Sequence, residues 1–121
     1  MARILIADDD ADYLRVFQEG MEALGHEVEG VPSGSEVVPM LENAKFDVIF
    51  LDVVMAGGGA ITVLHAVREY DPDIPVAIIT GRLELADSPL FLNGLRLAQA
   101  KLQKTATLAE LDNVVRMLTR H

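Results

Sequence analysis

The chain has 121 residues, with 10 Lys+Arg against 19 Asp+Glu and a net charge of −9. That length fits one domain, spanning residues 1–121, because domains cluster near about 100–150 residues, and a half-apolar composition argues against general disorder. The acidic balance disfavours nucleic-acid binding and anionic membrane surfaces, and the lack of Cys excludes disulfides and thiolate metal or redox sites.

The first apolar run, residues 4–7, is stopped by Asp8-Asp9-Asp10. It is too short for a signal peptide core or a membrane span, so a cytoplasmic protein is expected. Tyr13, Phe17, Met21 and Leu24 share one face of a helix that closes near Gly25. Glu27–Val31 is a weaker candidate strand. Ser33 and Glu36 suit a capping box for the second helix, and Pro39 then forces that helix to start late or kink. A second apolar run, 48–51, is stopped by Asp52. Ile61, Leu64 and Val67 mark a third helix, ended before Asp71-Pro72. The third apolar run, 76–79, is stopped by Thr80 and Gly81. Ser88-Pro89 reads as an N-cap and first helical position, with the turn dipeptide Asn93-Gly94 inside that helix. Ala100–Gln103 is a fifth strand, poor in β-branched residues. Thr107 and Glu110 cap the last helix, whose buried stripe is Leu111, Val114, Val115 and Leu118.

Continuous β-branched runs suit strands buried on both faces, as in a parallel sheet. Five βα units in sequence imply a doubly wound α/β domain with right-handed crossovers. In such a sheet, ligands bind outside the carboxyl ends of the strands. Asp8, Asp9, Asp52, Thr80 and Lys104 all follow strands and can therefore converge. Two like charges about 4 Å apart cost about 4 kcal/mol at an effective dielectric near 20. A hard divalent cation offsets that, and Mg²⁺ is the usual occupant of an oxygen site near phosphate. A carboxylate nucleophile, a metal site, a lysine cation and a hydroxyl donor are the parts that phosphoryl transfer requires.

The segments ILIADDD, VIFLDVVM, VAIITG and LQK resemble, in order, the motifs of the receiver domain of two-component response regulators, over essentially the whole chain. The resemblance implies a flavodoxin-like five-stranded parallel sheet of order 2-1-3-4-5. It implies that Asp52 accepts a phosphoryl group from a sensor histidine kinase or phosphotransfer protein. Asp9 and Asp52 would ligate Mg²⁺ directly, Asp8 largely through water, and the Val54 carbonyl would be a further ligand. Thr80 and Lys104 would contact the phosphoryl group. Such a chain is a switch acting on a downstream protein target and not a metabolic enzyme, although it assists its own phosphorylation.

Several positions depart from the family pattern. Lys104 is followed by Thr105 in place of Pro, so either a trans bond with a rearranged loop or a strained exception is expected. Lys101 stands where an aromatic switch residue is usual, and is an alternative to Lys104 as the site lysine. Leu97-Ala98 replaces the usual Gly-Ala. Val54 cannot orient a hydrolytic water by hydrogen bonding, so slow self-dephosphorylation follows; Arg82 is the companion position. Gly57, Gly58 and Gly59 leave the loop after Asp52 free in φ/ψ. Asp10 reads as a cap, His26 as a surface-turn residue, and His65 as a helix residue. Leu83, Leu85, Leu90, Phe91, Leu92, Leu95 and Leu97 exceed the needs of one buried helix face, which leaves a partner or homodimer patch open. The alternative function is a receiver-like interaction module that signals without phosphate. A Mg²⁺-dependent hydrolase is disfavoured, because the usual second Asp is Val54. A flavodoxin-like cofactor carrier is disfavoured by the absence of Trp and of a phosphate loop.

Overall fold

In the computed structural model, residues 1–55, 59–81, 89–94 and 96–120 are described, the side chains of Leu90 and Phe91 excepted. The elements run β1 (Arg3–Ala7), α1 (Ala11–Ala23), β2 (Glu27–Val31), a single 3-10 turn (Gly34–Glu36), α2 (Val37–Asn43), β3 (Val48–Asp52), α3 (Ala60–Tyr70), β4 (Val76–Thr80), α4 (Pro89–Gly94), β5 (Ala100–Gln103) and α5 (Leu108–Thr119). All four strand pairings are parallel, and the order is β2-β1-β3-β4-β5. This is the doubly wound parallel sheet expected from the apolar runs, in the flavodoxin-like order that the family resemblance implied.

Those runs are continuous because both faces of the sheet are covered. Leu5, Ile49, Leu51, Val76 and Ile78 face the side of α2 and α3. Ile4, Ile6, Val48, Phe50, Ala77 and Ile79 face the side of α1 and α5. Burying each of these side chains larger than Ala contributes about 1.5–3 kcal/mol. Phe50 is fully buried, and the Phe17 ring meets it edge-on at 5.1 Å between centroids.

Local signals explain the helix ends. The Asp10 side chain accepts hydrogen bonds from the Asp12 and Tyr13 backbone N–H groups and starts α1. Gly25, at φ 95°, supplies the left-handed residue just past its end. Thr107 and Glu110 form the full capping box of α5. Gly94 ends α4 and packs so closely on Ile61 that a Cβ there would lie 2.6 Å from its Cδ1.

Three expectations fail. Ser33 does not share a box with Glu36; its hydroxyl accepts from the Ser35 N–H and caps the 3-10 turn instead. The helix proper starts late, at Val37, which places Pro39 in its first turn, where a missing N–H costs nothing. Leu24 lies beyond the end of α1 and is exposed, so the buried face of that helix is Phe17 and Met21. His26 is not a surface-turn residue: it is buried, with Nε2 2.7 Å from Asp112 Oδ1 on α5. Ser88, Gly57, Gly58, Arg82, Leu83, Leu85 and Leu95 lie outside the described residues. Among the described residues no helix is long and apolar enough to cross a membrane.

Candidate functional site

Strand register brings the acidic residues together. Ala7 pairs with Leu51, so the next residues, Asp8 and Asp52, leave adjacent strands side by side. Asp52 in turn pairs with Ile79, which places Thr80 at the same rim one residue later. Thr80 pairs with Gln103, and the Thr80 carbonyl accepts from the Lys104 N–H at 2.9 Å. Lys104 thus starts its side chain at the rim, beside Gly81. Lys101 is opposite Ile78 and exposed, away from the carboxylates. Of the two lysines, the site holds Lys104.

Asp8 is wholly buried and Asp52 nearly so, whereas Asp9 is exposed. The Asp8 backbone N–H donates to the Val31 carbonyl, and its Oδ1 accepts from the Asp10 N–H at 2.9 Å. Lys104 Nζ lies 2.7 Å from Asp8 Oδ2 and 3.5 Å from Asp52 Oδ2. The Lys104–Thr105 bond is trans, since no cis bond occurs among the described residues. The site lysine is therefore reached without the usual Lys-Pro junction.

The electrostatics follow from crowding. Burial, then the charge of Asp8, push the Asp52 carboxyl up to about 6, against the pull of Lys104. For Lys104, burial opposes the charged form, but Asp8 and Asp52 outweigh it and hold the ammonium above its usual range.

One oxygen from each of Asp8, Asp9 and Asp52 lies within 4.8 Å of the others. Ligand oxygens on an octahedron of about 2.1 Å radius stand about 3–4.2 Å apart, so this all-oxygen set fits Mg²⁺ in donor chemistry and comes within a small side-chain adjustment of its spacing. Three carboxylates against one lysine also leave a local charge that a divalent cation neutralises. Val53 is pinned on both sides, donating to the Ile79 carbonyl and accepting from the Ala60 N–H. Val54 follows it with an exposed side chain.

Sequence reasoning missed one member of this group. The Tyr13 ring, counted as core, lies under Lys104, with Nζ 4.9 Å from the ring centroid. A groove of about 350 Å³ opens beside it, between α1 and the start of α5, with Val16, Leu108 and Leu111 among its walls.

The family model described as the response regulator receiver domain matches residues 4–116. The transcriptional regulatory protein PrrA of Mycobacterium leprae is 33% identical over 118 residues, which cover 98% of this chain and 50% of PrrA. The chain therefore spans about half the length of that relative. The response regulator receiver protein CpdR of Brucella abortus is 32% identical over 89 residues, 74% of each chain. Among solved structures, the Thermotoga maritima response regulator TrrA in complex with Mg²⁺-BeF superposes with a TM-score of 0.87 at 22% identity, over 98% of this chain and 99% of that one. A CheY-like receiver domain protein from Methanospirillum hungatei gives 0.84 at 26% identity, over 98% and 94%.

Proposed function

Because the chain belongs to the response regulator receiver domain family, we propose that it is a phosphorylation switch whose acceptor is Asp52. The observation that carries this reading is the convergence of Asp8, Asp9, Asp52 and Lys104 at one rim of the sheet. The donor is the phosphorylated histidine of a sensor kinase or phosphotransfer protein. The groove beside Lys104 supports this by giving a protein donor an apolar landing strip next to the acceptor. A downstream protein reads the switch, and cytoplasmic localisation is part of the proposal.

A carboxylate oxygen of Asp52 attacks phosphorus, and the bond from phosphorus to the donor nitrogen breaks. Burial and the Asp8 charge make Asp52 a stronger base than a solvated aspartate, yet at pH 7 it remains mostly ionised. Asp8, Asp9, Asp52 and the Val54 carbonyl would hold Mg²⁺, which when bound neutralises charge on the transferring phosphoryl oxygens. Lys104, already 3.5 Å from Asp52 Oδ2, follows the charge onto a phosphoryl oxygen. The Thr80 hydroxyl donates to another oxygen, and its displacement towards the phosphate alters the protein surface beyond β4. The chain acts as a switch and not as a metabolic enzyme.

The metal-compatible spread of Asp8, Asp9 and Asp52 beside Lys104 supports the phosphoacceptor reading over a phosphate-independent module, for which Asp8 and Lys104 alone would suffice as an ion pair. Titration with Mg²⁺ and beryllofluoride, followed by amide NMR, tests it. Saturable shifts of Asp52 and Thr80 that require both components are expected. Shifts absent, or unchanged without Mg²⁺, contradict it.

A further inference from the structure

The Tyr13 side chain takes no part in the phosphoryl transfer itself, yet the position of its ring ties it to the site: the Lys104 ammonium lies 4.9 Å from the ring centroid. The hydroxyl is buried with no hydrogen-bond partner among the described residues, so it is the ring and not the hydroxyl that meets the site. The Tyr13 backbone N–H donates to the capping Asp10 side chain at 3.2 Å, which places the residue in the first turn of α1. Its ring packs on Phe17, with centroids 6.2 Å apart, and Phe17 packs in turn on Phe50, two residues before Asp52. Tyr13 thus belongs to one aromatic column with the strand carrying Asp52.

A lysine at this rim has several places to go. Its four-carbon stem is flexible, and water is near, since Asp9 is exposed. Asp8 alone fixes a distance but not a direction. An aromatic face attracts a cation through its quadrupole and so supplies the direction.

We propose that Tyr13 is the positioning residue for Lys104, its ring face holding the ammonium beside Asp8 and Asp52 so that only a short shift carries it onto the incoming phosphoryl oxygen. The proposal rests on the phosphoacceptor reading of Asp52 for its kinetic consequence, but the Tyr13–Lys104 contact itself does not.

The test compares wild type, Tyr13→Phe, Tyr13→Leu, and a protein with pentafluorophenylalanine at position 13. The fluorinated ring keeps the shape and reverses the quadrupole, so it preserves the aromatic column that Leu shortens and separates attraction from packing. Two readouts are needed: the ring-current shift of the Lys104 ε-protons by NMR, and the rate of labelling by acetyl phosphate at saturating Mg²⁺. Tyr13→Phe should keep the shift and label within about twofold of wild type, because the face is retained. Tyr13→Leu and the fluorinated ring should slow labelling about three- to tenfold, with Mg²⁺ half-saturation unchanged within about twofold. The upfield shift should be lost in both. An upfield shift kept with the fluorinated ring, or equal slowing in Tyr13→Phe, overturns the proposal. If wild type takes no label, the phosphoacceptor reading fails, and the Lys104 shifts still decide the role of Tyr13.

Discussion

Lys104 Nζ is 0.8 Å nearer to Asp8 than to Asp52, at 2.7 Å against 3.5 Å. Asp8 is wholly buried and has that ammonium as its ion-pair partner. The lysine therefore competes with any cation for the same oxygens. Lys104→Met should tighten Mg²⁺ binding by about tenfold, as expected for removing one positive charge a few ångströms away. It should also slow phosphoryl acceptance, because the phosphate loses a partner. Calorimetric titration with Mg²⁺ checks the first effect and acetyl phosphate labelling the second.

Asp52 titrates near pH 6 in the metal-free fold, raised by burial and by Asp8 from an unfolded value near 3.8. Between those two values the native state binds more protons than the unfolded chain, so stability falls as pH rises through the window. Above pH 6 the ionised carboxylate therefore costs the metal-free fold about 2–3 kcal/mol. Asp52→Asn should raise the Tm at pH 7 in chelator, and the gain should vanish below about pH 4. Added Mg²⁺ should stabilise wild type more than the variant. Thermal unfolding at several pH values measures all three.

A second buried pair links the residue before β1, the turn before β2, and α5. His26 Nδ1 accepts from the Ala2 N–H at 3.0 Å, so the ring proton sits on Nε2 and faces Asp112. Arg116 closes the network with two contacts to Asp112 Oδ2, at 2.6 Å and 2.9 Å. The His26 hydrogen bond, then Arg116, hold the Asp112 carboxyl below its ordinary value despite burial. That stabilisation is present above about pH 4 and is lost as pH falls through the depressed value. Asp112→Asn should cost about 1–3 kcal/mol at neutral pH, with the difference narrowing in acid. Urea unfolding at pH 7 and pH 3 reads it.

The fold was legible where physics is local. Residues 4–7, 48–51 and 76–79 read as doubly covered strands because no polar residue interrupts them, and Asp8 and Asp52 stand out because they end such runs. The weak strand Ala100–Gln103 was legible only from the order of elements. What escaped was tertiary. His26 and Asp112 are 86 positions apart, and neither carries a local sign of the other. Tyr13 sits at the same i, i+4 spacing as Phe17 and Met21, which marks a buried stripe but not which end of it reaches the site. The choice between Lys101 and Lys104 needed the β4–β5 register, which sequence periodicity in a four-residue strand does not fix.

Val54 follows Asp52, the proposed acceptor, by two positions, and its exposed isopropyl group offers no hydrogen bond to an attacking water. The phosphorylated chain should therefore persist for minutes or longer in Mg²⁺ after the donor is removed. Val54→Asn should shorten that lifetime by several-fold, since a positioned water is a usual source of such acceleration. Decay followed by phosphate release checks both, and a wild-type lifetime of seconds contradicts the expectation.

The most direct measurement is intact-protein mass spectrometry after incubation with acetyl phosphate, with and without Mg²⁺, on wild type and Asp52→Asn. Wild type should gain the mass of one phosphate only when Mg²⁺ is present, and Asp52→Asn should gain none. Equal labelling of the two proteins, or no labelling of either with metal and donor supplied, would show that Asp52 is not the acceptor.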